Sequence, residues 1–381
     1  MEELNSNRQL KVLHVLPVYL PNSQIWLYNA IACTPDAIPI IAAEKYTDNV
    51  FNPAPFRFLK APLQGYGGML AKLATRLFFK PKLVGAVKAI QPDIIHAHFS
   101  IMGWKYKELV QSAPLVTSFY GFDYERLPYT NPEWKQRYKE LFKLGTLFLC
   151  EGEHGKNTLL KMDCPEEKIQ VTPLGMVSDT IPVYKREKQE NQLRLLQIAP
   201  FRYKKGQIYT VKAFAEALKQ APNMHLTLIG DDVEGGLKEV KAFIQQEGIQ
   251  DKVTIKSGVP YNKLHEQMQG EDVFIHPSCY AHNMDCEGGA PMVLVDAQMT
   301  GMPVISTTHC DIPSVVLEGK TGFLSAEKDI KRLQDSIITF YKMGNEVYQK
   351  MSHYAQQHAR NNFNAEECGL KLREIYETLL T

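Results

Sequence analysis

The sequence predicts an α/β protein of two successive Rossmann-like domains, each a doubly wound parallel sheet. Three observations carry this prediction. Short apolar runs of strand length alternate with segments of helical character along most of the 381 residues. The alternation comes in two series, divided by one strongly polar stretch at 185–192, Lys-Arg-Glu-Lys-Gln-Glu-Asn-Gln. Several strands of the second series end in glycine, acid or cation, and ligands of open α/β sheets bind beyond the carboxyl ends of the strands.

The first series opens with Leu10-Lys11-Val12-Leu13-His14-Val15-Leu16-Pro17, an apolar strand over 10–17. Buried strands are expected again at 38–42, 94–97, 115–119, 147–150 and 169–172, with helices among them at 135–143 and 155–161. Residues 1–184 make the first domain, and 185–192 is the expected linker. The second series starts at once, with strand 193–198, helix 209–220, strand 225–229, helix 236–247 and strand 252–256. Helix 263–268 and strands 273–276 and 304–306 follow, so the second domain spans 193–355. Helical character runs from about 326 to 380, and the final part, 356–381, is expected to pack back on the first domain.

A hydrophobic content of 44% with 22% charged residues is that of a globular chain with ample core. Residues 1–10 are polar, and the apolar run after Lys11 is broken by Pro17 and Pro21, unlike a secretory leader. The sequence holds no run of about 20 apolar residues of the kind that spans a bilayer. The seven cysteines are scattered without zinc-type spacing, which fits a reducing, cytoplasmic setting. Net charge is only +1, yet residues 49–92 contain no acid at all. Arg57, Lys60, Lys72, Arg76, Lys80, Lys82 and Lys88 lie there, with Met69, Leu70, Leu73, Leu77, Phe78 and Phe79 at helix-like spacing. Such a stretch suits an anionic membrane surface, and equally a core helix with a solvated basic face. Nucleic acid is a poor fit, because no recognition motif accompanies the charge.

The most informative stretch is Asp285-Cys286-Glu287-Gly288-Gly289-Ala290-Pro291, followed by Met292-Val293-Leu294-Val295 and Asp296. An acid on a glycine loop precedes a helix that Pro291 is expected to open, since a first-turn proline loses no hydrogen bond. The free N–H groups around Pro291, at Met292 and Val293, with the helix dipole, suit an anion such as a diphosphate. Asp296 lies five residues on and can face the same crevice, and Gly301 stops the helix. Taken alone, this is equally an ordinary loop–helix–strand unit with solvated acids. Two more strand ends accompany it. Pro200-Phe201-Arg202-Tyr203-Lys204-Lys205-Gly206 offers three cations to a phosphate, and Leu228-Ile229-Gly230-Asp231-Asp232 ends a strand in glycine and acids.

With the run Asp272-Val273-Phe274-Ile275-His276-Pro277-Ser278, the segments Gly301–Ile305 and Gly319-Lys320-Thr321-Gly322-Phe323-Leu324, the second half resembles retaining glycosyltransferases of family 4. That family has the GT-B fold, two Rossmann-like domains facing a central cleft. The first half is similar through Pro92-Asp93-Ile94-Ile95-His96-Ala97-His98-Phe99 and Thr117-Ser118-Phe119-Tyr120-Gly121-Phe122-Asp123. Within the family the pattern looks like enzymes of exopolysaccharide or lipopolysaccharide assembly, including the colanic acid type.

The resemblance implies transfer of a sugar from a nucleotide-diphosphate sugar to a glycan or lipid-linked acceptor, at the cytoplasmic face of a membrane. It places Glu287, Lys205 and Arg202 in catalysis, and Arg202, Lys205, Gly230, Pro291, Met292, Val293 and Asp296 around the donor. Ser23, Gln24, His98, Tyr120 and Asp123 would meet the acceptor. No metal or other cofactor is expected, because side chains and the helix end would neutralise the diphosphate. His96 and His98 share one strand face, but no third metal ligand is visible at a suitable interval. The chain departs from the family pattern in three places. Eight residues rather than seven separate Glu287 from Asp296, the strand-end arginine position is Pro200, and the acceptor-side histidine is Tyr120. A tyrosine with an ordinary pKa near 10 is a poor general base. A sugar-nucleotide epimerase of the same fold and a non-catalytic membrane scaffold are the rival readings.

Overall fold

The computed structural model describes residues 9–21, 24–47, 56–59 and 79–381, and the chain divides into two compact units. The first comprises residues 1–175 and 365–381; the second is the continuous stretch 176–364.

In the first unit, seven strands pair in parallel: β1 (Leu10–Tyr19), β2 (Ala37–Tyr46), β3 (Arg57–Leu59), β4 (Ile94–His98), β5 (Leu115–Ser118), β6 (Leu147–Cys150) and β7 (Ile169–Val171). Their order is β3-β2-β1-β4-β5-β6-β7, so the direction of winding reverses between β1 and β4. Val12, Leu13, Val15 and Leu16 are all fully buried, which is why β1 reads as a continuous apolar run rather than an alternating one. The strand continues past Pro17, with Val18 and Tyr19 still in register with Lys45 and Tyr46. Three-residue β3, with its exposed arginine, has too little apolar pattern to be visible in sequence.

Helix Lys80–Ile90 buries Leu83 and Val87 in the core with Phe79, while Lys82 and Lys88 are exposed. Lys60, Lys72 and Arg76 of the acid-free window lie outside the described residues. Among the described residues, no helix is long and apolar enough to cross a membrane. Helix Ala365–Thr378 belongs to this unit: Leu372 and Tyr376 share a core with Leu10, Val12 and Ile94. It also approaches helix Ile25–Ala32 so closely that a Cβ on Gly369 would sit 2.0 Å from the Cys33 carbonyl oxygen.

The second unit holds β8 (Leu193–Ile198), β9 (Met224–Ile229), β10 (Val253–Lys256), β11 (Val273–His276), β12 (Val304–Thr307) and β13 (Gly322–Ser325). The order β10-β9-β8-β11-β12-β13, all parallel, reverses between β8 and β11. Leu195, Phe214, Val273, Ile275, Ile337 and Phe340 lie in one core, each such side chain contributing about 1.5–3 kcal/mol by burial.

Two expectations need correction here. The polar stretch 185–192 is not a solvated linker, because Arg186 and Lys188 are buried. Arg186 donates to the carbonyls of Met268 (2.6 Å) and Glu271 (2.9 Å) and to Thr300 Oγ1 (2.7 Å), and Lys188 donates to the Tyr341 carbonyl. These cations satisfy carbonyls left over where elements end, a task that composition alone does not distinguish from solvation. The segment 263–268 forms two short turns of 3-10 helix, Tyr261–Lys263 and His265–Met268, in place of one α-helix. The long final helical region is three helices, Ile330–Lys342, Asn345–Asn362 and Ala365–Thr378.

Candidate active site

The reversal point of the second sheet places two loops side by side, one after β8 and one after β11. The β8 loop turns through Tyr203–Lys205 into helix Gln207–Leu218, pivoting on Gly206 at φ +70°. A Cβ at Gly206 would lie 2.0 Å from the Pro277 carbonyl oxygen, so only glycine lets the two loops meet. Gln197 fixes the turn, donating to the Lys205 carbonyl at 2.7 Å while accepting from Thr210 at 2.7 Å.

Two lysines then cross from one loop to the other. Lys204 Nζ donates to the Cys286 carbonyl at 2.7 Å and pairs with Asp285 Oδ1 at 3.2 Å. Lys205 Nζ pairs with Glu287 Oε2 at 2.7 Å, with both side chains almost wholly buried. The second carboxylate oxygen accepts from Ser278 Oγ at 2.9 Å, and His276 Nε2 stands 3.8 Å away. Burial alone would raise the Glu287 carboxyl, but Lys205 and Lys204 outweigh it and hold it well below its usual 4.5. Burial lowers the Lys205 ammonium, with Glu287 opposing. The result is a buried, ionised pair whose members would be costly to leave alone.

Pro291 occupies the cap position of helix Met292–Met299 rather than its first turn, and accepts the Leu294 N–H at 2.9 Å. Met292 and Val293 are half-buried at the helix start. Asp296 faces inward, accepting from Tyr261 Oη and from His265 Nε2, both at 2.9 Å. Gly230 ends β9 and donates its N–H to the Lys256 carbonyl. Arg202 takes another direction: its side chain is partly exposed, and its Nε lies 3.8 Å from Glu234 Oε1. Sequence reasoning singled out Lys205, Glu287 and Asp296 and counted Lys204 among the three cations of its loop, but gave no role to His276, Ser278, Tyr261 or His265. His276 and Ser278 stood in a quoted strand; Tyr261 and His265 meet Asp296 from more than thirty positions away.

The residues expected on the acceptor side lie in the first unit, where Ser23 falls outside the described residues. Gln24 caps helix Ile25–Ala32, its carbonyl accepting from Leu27 and Tyr28. Asp123 is fully buried and accepts from Ser100 N–H (3.1 Å), Ser100 Oγ (2.6 Å) and Tyr120 N–H (3.0 Å). Burial pushes its carboxyl up to about 7, against those three donors. His98 and Tyr120 are joined at 3.0 Å, Nδ1 to Oη, and His98 Nε2 meets His14 Nδ1 at 3.0 Å. Next to them His96 bonds Ser118 Oγ (2.7 Å) and Tyr376 Oη (2.6 Å). The third imidazole that spacing did not show is His14, aligned with His96 by the β1–β4 register. The three bring ligand atoms within 4.8 Å of one another, but both nitrogens of His96 and of His98 already have uncharged partners. Burial lowers all three, His14 to about 3, and raises the Tyr120 hydroxyl above its usual 10. This is a buried neutral network.

Comparison with known proteins finds matches for both parts of the chain. Residues 183–358 match the family described as Glycosyl transferases group 1, and residues 46–179 match Glycosyltransferase Family 4. The amylovoran biosynthesis glycosyltransferase AmsK of Erwinia amylovora is 29% identical over 320 residues, 82% of this chain and 76% of that protein. The putative colanic acid biosynthesis glycosyltransferase WcaL of Escherichia coli strain K12 is 26% identical over 291 residues, 75% of this chain and 71% of the relative. Among solved structures, Anabaena Alr3699/HepE in complex with UDP and glucose superposes with a TM-score of 0.70 at 18% identity, covering 97% of this chain and 100% of that one. WaaG, a glycosyltransferase involved in lipopolysaccharide biosynthesis, gives 0.64 at 16% identity over 96% and 99% of the two chains. The fold is GT-B.

Proposed function

The chain belongs to the glycosyltransferases with a family 4 first half and a group 1 second half, and from that premise we propose that it transfers a sugar from a nucleotide-diphosphate donor to a hydroxyl of a glycan or lipid-linked acceptor in surface polysaccharide assembly. The observation that carries the proposal is the buried Lys205–Glu287 pair at the reversal point of the second sheet. An arriving diphosphate offers Lys205 a second anion, and Lys205 moves toward it as the leaving group gains charge. Glu287 then faces donor-sugar hydroxyls and the positive charge that develops on the sugar. Lys204 stays on Asp285 and the Cys286 carbonyl and keeps the loops together, while the N–H groups of Met292 and Val293, at the helix start behind Pro291, face the diphosphate.

The relatives named for amylovoran and colanic acid biosynthesis support a polysaccharide acceptor, and the neighbour holding UDP and glucose supports a nucleotide-sugar donor. Transfer proceeds with retention at the anomeric carbon and without a divalent ion. Tyr120, whose hydroxyl burial holds protonated, orients the acceptor while the leaving phosphate takes the acceptor proton. The acid-free window of the first half brings the protein onto anionic lipid.

Incubation with a panel of sugar nucleotides, with and without lipid-linked oligosaccharide and with and without chelator, tests this reading. Acceptor-dependent product with the donor's anomeric configuration, formed also with chelator, is expected. Conversion of the donor without acceptor would point to an epimerase, and activity lost on chelation and restored by magnesium would defeat the metal-free mechanism. For the membrane part, replacing Lys72, Arg76, Lys80 and Lys82 together by glutamine should release the protein from anionic vesicles, at about 1 kcal/mol per basic residue. Wild type that ignores such vesicles at low salt would refute it.

A further inference from the structure

We infer that His309, held in place by Glu327, is a positioning residue that fixes the backbone of Glu287, and that the turn 309–311 sets the geometry of the glycine loop. The inference rests on the transferase reading of that loop.

Three successive contacts join the turn to the loop. His309 Nε2 accepts the Glu287 N–H at 3.1 Å, the Gly288 backbone bonds the Cys310 thiol, and the Asp311 N–H donates to the Gly289 carbonyl at 3.2 Å. The turn thus follows the loop residue by residue. Its middle member, Cys310, sits at φ +47°, a conformation uncommon for a side chain of its kind and held here by its surroundings.

The tautomer of His309 follows from its partners. A backbone N–H only donates, so Nε2 must be the bare nitrogen, and the proton must be on Nδ1. Nδ1 indeed faces an acceptor, Glu327 Oε1, at 2.7 Å. The other Glu327 oxygen accepts the Tyr280 N–H at 2.9 Å, and the Tyr280 ring stands edge-on to the imidazole at 4.7 Å between centroids. Burial would raise the Glu327 carboxyl, but the His309 and Tyr280 bonds outweigh it and hold it below 4.5. An ionised carboxylate orients a buried imidazole, which in turn accepts from the residue bearing the reactive carboxylate. The same chain of command orients metal-bound histidines and the histidines of catalytic triads. Here its object is a peptide N–H.

Two substitutions separate the roles of the two nitrogens. In His309→Gln the side-chain oxygen reaches the Nε2 position and can still accept from Glu287. In His309→Asn the amide keeps only the Nδ1 position, toward Glu327. With the sugar nucleotide that wild type uses best, His309→Asn should lower kcat about 30-fold or more while the donor KM stays within about threefold, the pattern of a misplaced catalytic group. His309→Gln should stay within about fivefold of wild type. Amide exchange over 285–289 is measured in the same proteins irrespective of turnover, and Glu287 should exchange at least about tenfold faster in His309→Asn than in wild type or His309→Gln. Wild-type kcat and exchange in His309→Asn would overturn the inference, as would equal loss in both variants tracking a lowered melting temperature. If wild type transfers no sugar but the exchange pattern holds, the transferase reading fails and the brace stands.

Discussion

The first sheet reverses between β1 and β4 and the second between β8 and β11, and the two reversal points have been filled with opposite electrostatics. In the first unit three imidazoles, two tyrosines and a serine share protons without any formal charge. In the second, Lys204, Lys205, Asp285 and Glu287 bury charge in pairs. A neutral network is stable only while its members stay neutral, and a charged pair only while both members are present. The comparison says that one fold serves two chemical ends by the ionisation state it imposes at the same topological place.

The largest expected effect breaks the charged side. Lys205→Met leaves Glu287 buried without its ion-pair partner, and should destabilise the second unit by about 3–5 kcal/mol in urea unfolding. Combining it with Glu287→Leu should recover most of that loss, since no charge is then stranded. Failure of the pair to recover would mean that the ions are solvated after all.

Next in size is the chemistry. Glu287→Gln keeps the shape and the Ser278 contact but removes the charge, and initial rates should fall at least ~100-fold. An unchanged rate would take Glu287 out of the reaction.

Acid separates the two units more gently. A histidine held neutral in the folded state binds its proton only on unfolding, so stability is lost as pH falls below 6.5 toward the folded value, about 3 for His14. For His14 this costs about 2 kcal/mol at pH 5. Glu287 works in the same direction but in a lower window: its depressed carboxyl keeps its contribution until pH drops below 4.5. The first unit has three such imidazoles, offset in part by Asp123, whose raised carboxyl adds stability as pH falls through about 7. It should still melt earlier between pH 6.5 and 5, and the second, with the fully buried His276, should follow with a shallower slope. Calorimetry over that range showing parallel slopes would remove the distinction.

The smallest effect concerns Arg202. Its turn toward Glu234 predicts that Arg202→Ala weakens nucleotide-diphosphate binding by only about 1 kcal/mol, against about 1.5–3 for Lys205→Ala. Equal losses by calorimetric titration would show that Arg202 swings from Glu234 to the phosphate.

How much of this was legible in the sequence depended on the distance over which each feature is specified. Strands such as Leu147–Cys150 and Val273–His276 are local apolar runs, and they were found at their ends. Glu287 and Lys205 were visible because each sits in a glycine-bearing strand-end loop. The buried roles of Arg186 and Lys188 were hidden, because charge in a sequence window says nothing about which carbonyls lie nearby in space. His14 was hidden for a related reason: only the β1–β4 register aligns it with His96, and no spacing along the chain encodes a register. His309 and Glu327 depend on a turn whose partner loop is more than twenty residues away.

The last helix gives the chain an order of completion. Tyr376 closes the hydrogen-bond set of His96, and Leu372 and Tyr376 finish a core begun by Leu10 and Val12. Leu10 leaves the ribosome long before Tyr376, whereas residues 176–364 emerge between them as one uninterrupted piece. Synthesis at roughly 5–20 residues per second leaves the earlier-made unit waiting tens of seconds with an imidazole lacking its tyrosine and a strip of sheet uncovered. The half that is translated first is thus the half that matures last, and any premature stop within the final helix strands it in that exposed condition.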